Sequence, residues 1–440
     1  MDIMNKRSSS DKRAIRVTLD KATIPSKQKN FRPVPLRLSV RMLARFAALV
    51  VLFIVVFTGF VAADSVLQRR TPIDLDTEFR IIPPAAAEDI VLESVSLPAQ
   101  IKDHENPING TLMTKDAYDQ MIVQHPVAIT INNHTAARPQ HGLSKADIVG
   151  EFLAEGGITR YVPVYLQHRD VEKIGPVRSL RYYMIMFVSA FADPVILHEG
   201  QAGYDNAPWE TYREEADARG AIYRWGLKSL QSAGSRYRDS AKARSSGYVH
   251  SLYTDFSLIN KELQRLSGSW DYGAQSIKPL KFKHDAPVTE RGNFASVDIA
   301  FLSLARNDYA ARFVYDKASN TYKRFIAGRE DIDLLTGEQI APKNVIIEWH
   351  NYGEANDGHN RIIIDMLGED RAVILRDGQV IEGTWKKDDR LERARYFDSD
   401  GNEIELVRGQ IWTVFAVKVG DRLVTNVELN YNEQNETTAE

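Results

Sequence analysis

Residues 125–167 read HPVAITINNHTAARPQHGLSKADIVGEFLAEGGITRYVPVYLQ and carry the clearest strand and turn signals of the first half of the chain. The runs at 127–131, 147–153 and 161–167 are rich in β-branched and aromatic residues, which predicts three strands. The sequence EGG at 155–157 separates the second run from the third and predicts a turn. Polar residues gather where these strands end, so a rigid sheet is expected to display them.

Beyond this stretch, strand-like and helix-like segments alternate up to residue 270. Such alternation predicts an α/β or α+β layered first domain over residues 103–270. Residues 279–428 are richer in strand signals, and Asp377-Gly378 between two apolar runs predicts a β-hairpin. The predicted fold class is therefore a layered α/β or α+β domain followed by a β-rich second domain.

Residues 46–63 (FAALVVLFIVVFTGFVAA) carry no charge. Eighteen helical residues span about 27 Å, close to the hydrocarbon thickness of a bilayer, which predicts one N-terminal transmembrane helix. Residues 1–45 hold twelve Lys or Arg and three acids, whereas residues 64–105 hold four basic residues and nine acids. The positive-inside rule then predicts a single-pass protein of the cell membrane, with a cytoplasmic N-terminus and most of the chain outside the cytoplasm.

The same segment allows two other interpretations: a cleaved signal peptide, with VAA at 61–63 as the cleavage site, and a buried core helix. The basic tail 1–45 is long for a signal peptide, which favours a retained anchor. Residues 64–102 are rich in Pro, Ala and acids and are predicted to be a linker.

Composition excludes several classes of function. The 440 residues include no cysteine, which excludes disulfides, thiolate metal sites and a cysteine nucleophile. The formal net charge of −3 gives no indication of a nucleic-acid partner. The sequence contains no phosphate-binding loop, no GxGxxG after a strand, no GxSxG and no HExxH. No cofactor is identified, and a divalent metal would have to be held by His, Asp and Glu.

Arg178 lies in the segment IGPVRS, at the predicted start of a helix that Ser179 is expected to cap. Helix N-termini attract anions, and the forked guanidinium suits phosphate or carboxylate. The sequence therefore predicts an anionic ligand, with contacts from Arg138, Arg160, Arg178, Arg181 and Arg238. The alternative is structural: Arg178 and Arg181 would pair with Glu151 or Glu155 and hold the domain together.

Histidines follow several predicted elements and could act as general bases. The residues predicted to be catalytic are Glu155, His198, Asp239 and His250, and the same groups are the candidates for holding a metal. Asn133, His134, Glu151 and Ser179 are further candidates for a polar site. A glycan hydrolase is a third hypothesis, in which Glu151 or Glu155 would face another carboxylate.

Several motifs together resemble the YerB-like family of bacterial extracytoplasmic proteins. They include KIGPVRSLRYY, VILHEG, YRDS, HSLYTD, EGTWKK and GQIW, and the resemblance covers about residues 106–415. It implies a domain of unknown function with a C-terminal companion domain. Many members of the family are lipoproteins, whereas this chain has no cysteine to lipidate. Ser251 stands where relatives tend to have asparagine.

The order of motifs is also similar to that of the LytR-CpsA-Psr transferases, which pass glycan polymers from a polyprenyl pyrophosphate to the cell wall. We therefore expect a membrane-anchored envelope protein that binds an anionic envelope polymer or lipid-linked intermediate. If it is an enzyme, phosphoryl or glycan-polymer transfer is the expected reaction. The alternative is a non-catalytic envelope scaffold or protein-interaction module.

Overall fold

The computed structural model describes residues 101–203, 213–266, 273–302 and 307–432. The basic tail, the apolar segment 46–63 and almost all of the predicted linker lie outside these residues. Within the described ranges, no helix combines the length and the apolar character needed to cross a bilayer.

The described chain is rich in strands. In the first half these are short: β1 (His104–Glu105), β2 (Leu112–Met113), β3 (Val127–Ile129), β4 (Ile131–Asn132), β5 (Ile148–Leu153), β6 (Thr159–Tyr165), β7 (Val195–Leu197), β8 (Ser229–Leu230), β9 (Tyr237–Arg238) and β10 (Leu252–Tyr253). The helices are α1 (Lys115–Ile122), α2 (Tyr182–Val188), α3 (Ala218–Arg224), α4 (Ser240–Ser246) and α5 (Phe256–Leu266).

The second half contributes β11 (Phe282–Lys283), β12 (Phe294–Ala300), β13 (Ala311–Asp316), β14 (Thr321–Ile326), β15 (Arg329–Glu330), β16 (Ile332–Asp333), β17 (Glu338–Gln339), β18 (Asn344–Glu354), β19 (Ile362–Ile364), β20 (Gly368–Arg376), β21 (Gln379–Lys387), β22 (Arg395–Phe397), β23 (Leu406–Val407), β24 (Ile411–Val419), β25 (Arg422–Leu423) and β26 (Asn426–Tyr431). The prediction that this half is β-rich is confirmed.

One large mixed sheet runs through both halves in the order β22-β21-β20-β18-β24-β5-β6-β3-β7-β8. The two halves meet where β24 pairs in parallel with β5, which places Phe415 opposite Phe152. The rings of these two residues stack with their centroids 4.1 Å apart. The predicted layered first domain is thus part of a sheet that continues into the second half, because an edge strand of each half pairs with the other.

A second, antiparallel sheet has the order β15-β14-β13-β12-β26. Along β14, Tyr322, Arg324 and Ile326 are buried and Lys323 between them is exposed. Alternate residues of a strand point to opposite faces, so Arg324 shares the buried face with two apolar neighbours.

The predicted hairpin at Asp377-Gly378 is confirmed, since β20 and β21 pair in register across these two residues. Both adopt positive φ, 50° for Asp377 and 68° for Gly378, as the common two-residue turn requires. The Asp377 carboxylate also accepts hydrogen bonds from Ala286 N and Asn320 Nδ2, which ties the turn to neighbouring loops.

Helix α2 begins at Tyr182, later than the predicted start at Ser179. The prediction that Ser179 caps this helix is wrong: its hydroxyl donates to the carbonyl of Glu199, and Arg181 occupies the N-cap position without a side-chain bond. The buried face of the helix includes Phe187, which packs against Phe152 and Phe415. Before the helix, the segment forms isolated β-bridges, Val177 with Ile131 and Leu180 with Gln201.

Candidate functional site

The ends of β3, β4 and β7 bring together several of the predicted polar residues. Strands β3 and β7 are parallel neighbours, so their carboxyl ends lie at the same edge of the sheet. Arg178 is held there by its main chain: its N–H donates to Thr130 O at 2.8 Å, and its carbonyl accepts from Glu199 N at 3.0 Å. Function concentrates at such strand ends.

Two histidines stack at this edge. The rings of His134 and His250 have centroids 4.6 Å apart and an interplanar angle of 24°. Ala136 N donates to His134 Nδ1 at 3.1 Å, and Asn132 Nδ2 pairs with His250 Nδ1 at 2.8 Å. The amide of Asn132 is oriented by its Oδ1, which accepts from the backbone N–H of His134.

This arrangement sets the tautomer of both rings. A neutral imidazole that accepts a hydrogen bond at Nδ1 carries its proton on Nε2. Both histidines then present an Nε2–H donor. Burial lowers the pKa of His250, and the charges of Arg178 and Lys242 act in the same direction, which favours its neutral form.

The guanidinium of Arg178 forms no hydrogen bond or ion pair with any residue that the structure describes. The nearby carboxylate of Glu199 is engaged by Arg236 at 2.6 Å and by Arg238 at 3.1 Å. Half-burial and the charges of Arg181 and Arg238 lower the pKa of Arg178. An unpaired cation close to other cations is the electrostatic condition that an anionic ligand would relieve.

Arg181 and Arg160 differ from Arg178 because Glu155 pairs with both. Arg181 contacts Glu155 through two hydrogen bonds, Nε to Oε1 and Nη2 to Oε2, and Arg160 Nη2 lies 3.4 Å from the carboxylate. Burial tends to raise the pKa of Glu155, but the two guanidiniums outweigh it and the pKa is lowered. Burial also lowers the pKa of Arg160 to about 10. Arg181 therefore has the structural role that was the alternative to ligand binding: it pairs with Glu155 within the fold.

Arg138 and Arg238 also use protein partners. Arg138 Nε donates to Asn133 Oδ1 at 2.9 Å, and Asn133 Nδ2 donates to Thr159 Oγ1. The Nη2 of Arg138 is buried without a hydrogen-bond partner. Arg238 donates to the carbonyl of Tyr248 and stacks over its ring at 3.8 Å.

His198 is enclosed by the fold. Its Nδ1 lies 2.8 Å from Gly200 O and its Nε2 lies 2.8 Å from Ser229 Oγ, so both ring nitrogens are occupied. Burial lowers the pKa of His198 to about 4. This histidine joins β7 to β8 and has no free nitrogen with which to act as a base.

Asp239 caps α4 by accepting from Lys242 N at 2.9 Å, and it pairs with Lys173 at 2.8 Å. These two interactions lower the pKa of Asp239 to about 2. Glu151 is fully buried between Arg324 and Trp412, whose Nε1 donates to it at 3.1 Å. Glu151 is therefore not placed to receive a substrate, which removes it from the hydrolase hypothesis, whereas Asp239 is engaged by its cap and by Lys173.

Asp239→Ala is expected to lower the free energy of unfolding at pH 7 by about 1 kcal/mol, whereas Asp239→Asn keeps the cap and should cost less. Because the folded-state pKa of Asp239 lies below its unfolded value of about 3.9, its contribution is present above that pH and lost as the pH falls toward 2. Urea unfolding of both variants at pH 7 and pH 3 measures this. Equal losses for Ala and Asn at pH 7 would contradict the capping role.

No group of three or more His, Asp or Glu side chains in the described part of the chain is arranged to hold a metal ion. The sequence analysis did not identify Arg324, which pairs with the candidate residue Glu151. The sequence did contain an indication: in TYKRFI, Arg324 occupies a position that alternates with apolar residues and is therefore expected to face the core. Lys242 was missed as well; it donates to the carbonyl of Arg138 at 3.0 Å and contributes positive charge near His250.

The fold and these residues define a β-rich protein with a cationic, histidine-bearing group of side chains at the carboxyl ends of strands in a mixed sheet. Residues 113–269 match the N-terminal domain of a protein of unknown function (DUF3048), and residues 298–413 match its C-terminal domain.

A Bacillus subtilis (strain 168) protein named "Putative lipoprotein YerB" is 30% identical over 321 residues, covering 72% of this chain and 87% of the relative. The chain belongs to the YerB family, as its motifs predicted. The crystal structure of YerB from Bacillus subtilis has the same fold. Its TM-score is 0.60 at 24% identity, and the match covers 74% of this chain and 100% of that one.

Proposed function

We propose that this protein binds a phosphate-bearing ligand of the cell envelope, a phosphate or a glycan phosphate, at the edge of the sheet where Arg178 lies. The observation that carries the proposal is the unpaired guanidinium of Arg178. In contrast, Arg181 and Arg160 share the carboxylate of Glu155, and Arg238 is paired with Glu199.

The two histidines strengthen the proposal because each offers an Nε2–H donor and no acceptor. Phosphate oxygens accept hydrogen bonds, and bonds to a charged acceptor are stronger than neutral ones. The main chain of Arg178 is anchored between Thr130 and Glu199, so its position is set before a ligand arrives. Preorganised donors lose less entropy on binding.

The geometry favours binding over transfer chemistry. Of the residues predicted to be catalytic, His198 has both nitrogens bonded, Asp239 caps a helix, and Glu155 is held by two arginines. His250 keeps a free Nε2, but in the tautomer that donates a proton. A general base needs an unprotonated atom within reach of the substrate.

The envelope location is supported by two features outside this edge. The apolar segment 46–63 follows a basic tail, which predicts a membrane anchor with the folded part outside the cytoplasm. The Bacillus subtilis relative bears the name of a lipoprotein. A transmembrane anchor would give the same tethering to a chain that has no cysteine.

A thermal denaturation series of the full-length protein tests the function. Inorganic phosphate, a short polyprenyl pyrophosphate and a phosphate-rich wall-polymer fragment would each be titrated, with and without a divalent-metal chelator, beside an uncharged glycan of the same length. A ligand at 100 times its dissociation constant is expected to stabilise the native state by about 2.7 kcal/mol. Equal stabilisation by the uncharged glycan would contradict an anion site. No stabilisation by any ligand would favour the scaffold alternative.

A further inference from the structure

A surface next to the stacked histidines His134 and His250 combines exposed aromatic and apolar side chains with cations. We call it the basic–aromatic surface; it consists of Tyr237, Arg238, Lys242, Arg244, Tyr248 and Val249. It is built on α4 and the two short segments that flank it, and none of the residues of α4 is buried. A seven-residue helix with no buried face is unusual, because packing of an apolar face provides most of the stability of short helices.

The apolar members of this surface are well exposed. Tyr248 is 67% exposed, Val249 47% and Tyr237 37%. Tyr248 and Val249 directly precede the buried His250, so the turn that positions this histidine also holds them outward. Adjacent exposed apolar side chains in a polar setting indicate a contact surface.

The charge around these side chains is positive, although the whole chain has a net charge of −3. Lys242 forms no ion pair with a described carboxylate and donates to the carbonyl of Arg138. Arg244 is exposed in the last turn of α4. Two acids in this region are paired: Asp239 with Lys173, and Glu199 with both Arg236 and Arg238. Asp255, whose charge acts on Tyr237, accepts hydrogen bonds from Ser257 and from Leu258 N.

We propose that the basic–aromatic surface docks on an anionic lipid surface. Lys and Arg near a membrane are attracted to anionic headgroups, and tyrosine rings favour the membrane–water interface. These cations and apolar side chains project from a short exposed helix and the turn after it. Such a protruding surface fits a flat membrane better than an extended peptide. Docking of this surface would bring the guanidinium of Arg178, which lies near Arg238 and His250, close to the headgroups.

The absence of cysteine from the chain makes a direct test simple, because one introduced thiol can be labelled alone. Ser245→Cys places an environment-sensitive fluorophore on α4, at an exposed position. The matched control is Ser319→Cys, an exposed serine in the turn between β13 and β14. Full-length protein would be reconstituted in nanodiscs of pure phosphatidylcholine or of phosphatidylcholine with phosphatidylglycerol, some carrying a lipid-attached quencher.

We expect a blue shift and quenching for the label at 245 in anionic nanodiscs, and neither for the label at 319. Arg244→Gln is expected to lower the ratio of docked to undocked protein roughly fivefold, and 1 M salt should suppress docking. Tyr248→Ser should reduce quenching by removing the more exposed of the two tyrosine rings of this surface. Unchanged melting temperatures of the labelled proteins would show that the fold is retained.

The inference is overturned if the label at 245 behaves like the one at 319 in both lipids. It is also overturned if a soluble acidic peptide shifts the emission while anionic nanodiscs do not, since the partner would then be a protein. The outcome is separable from the proposed function. Arg244→Gln should leave stabilisation by inorganic phosphate unchanged, and Arg178→Ala should leave quenching by lipid unchanged.

Discussion

Replacing Arg324 with alanine is expected to lower the free energy of unfolding by about 3–5 kcal/mol. Arg324 is fully buried and donates to both oxygens of Glu151 at 2.9 Å, and it also pairs with Asp331. The variant would leave two buried carboxylates without their counter-charge. The cost arises mainly from these stranded groups, because a buried charge without a partner loses its hydration and gains nothing in return.

The surrounding aromatic residues increase the expected loss. The guanidinium of Arg324 lies 4.7 Å from the ring centre of Trp412 and 5.2 Å from that of Tyr161. Trp412 is on β24 and Glu151 on β5, so Arg324 contacts the seam where the two halves of the large sheet join. Truncation therefore removes packing as well as charge at a junction that both halves share.

Lys323→Ala is the matched control, because Lys323 is the preceding residue of β14 and points to solvent, where it pairs with Asp316. Exposed ion pairs contribute about 0–1 kcal/mol, so little change is expected. Adding Glu151→Gln to Arg324→Ala should recover part of the loss. Urea unfolding at pH 7 measures all three variants, and equal losses for Lys323→Ala and Arg324→Ala would contradict the structural role of Arg324.

The second large effect concerns the ligand. Arg178→Ala is expected to weaken binding of a phosphate-bearing ligand by about 10- to 100-fold, since hydrogen bonds to charged groups contribute about 1.5–3 kcal/mol. Without ligand, the stability of the variant should stay near that of the wild type, because the guanidinium has no partner among the described residues. Isothermal titration with the tightest ligand from the thermal series measures the affinity.

Arg181→Ala is the informative contrast, since this arginine holds Glu155 by two hydrogen bonds. Its removal should destabilise the unliganded protein, which Arg178→Ala should not do. Arg244→Gln changes the same net charge at an exposed position and controls for long-range electrostatics. If Arg178→Ala binds phosphate as tightly as the wild type, the ligand site lies elsewhere and the proposed function is wrong.

Local patterns predicted much of the secondary structure correctly. Strands β3 to β6 lie where the runs of 127–131, 147–153 and 161–167 predict them, and the Asp377-Gly378 hairpin follows from its turn residues. These features depend on side-chain periodicity and backbone preferences within a few residues, so they can be recognised without tertiary information. The start of α2 was missed because a favourable cap residue competes with tertiary bonds, and Ser179 binds Glu199 O instead.

The roles of the polar residues depended on contacts that no local pattern contains. Motif analysis brought Arg178, Arg181, His198 and Glu155 into one candidate set, yet only the fold distinguishes the unpaired Arg178 from the paired Arg181. Whether a histidine has a free nitrogen likewise depends on neighbours such as Ser229, which is 31 positions from His198. Whether these side chains are paired or free therefore depends on the arrangement of all the strands.

The family, the strand-rich second half and the charge asymmetry around the apolar segment 46–63 could be recognised from the amino-acid sequence, because short motifs and local composition carry them. Tertiary structure alone decided that the two halves share one sheet and that Arg324 joins them. Arg324 on β14 and Glu151 on β5 are 173 positions apart and belong to different sheets, so only the packing of the folded chain brings them together. A buried charge without a partner has a high free-energy cost, so arrangements that leave Arg324 unpaired are disfavoured. Which residue becomes its partner depends on the tertiary structure.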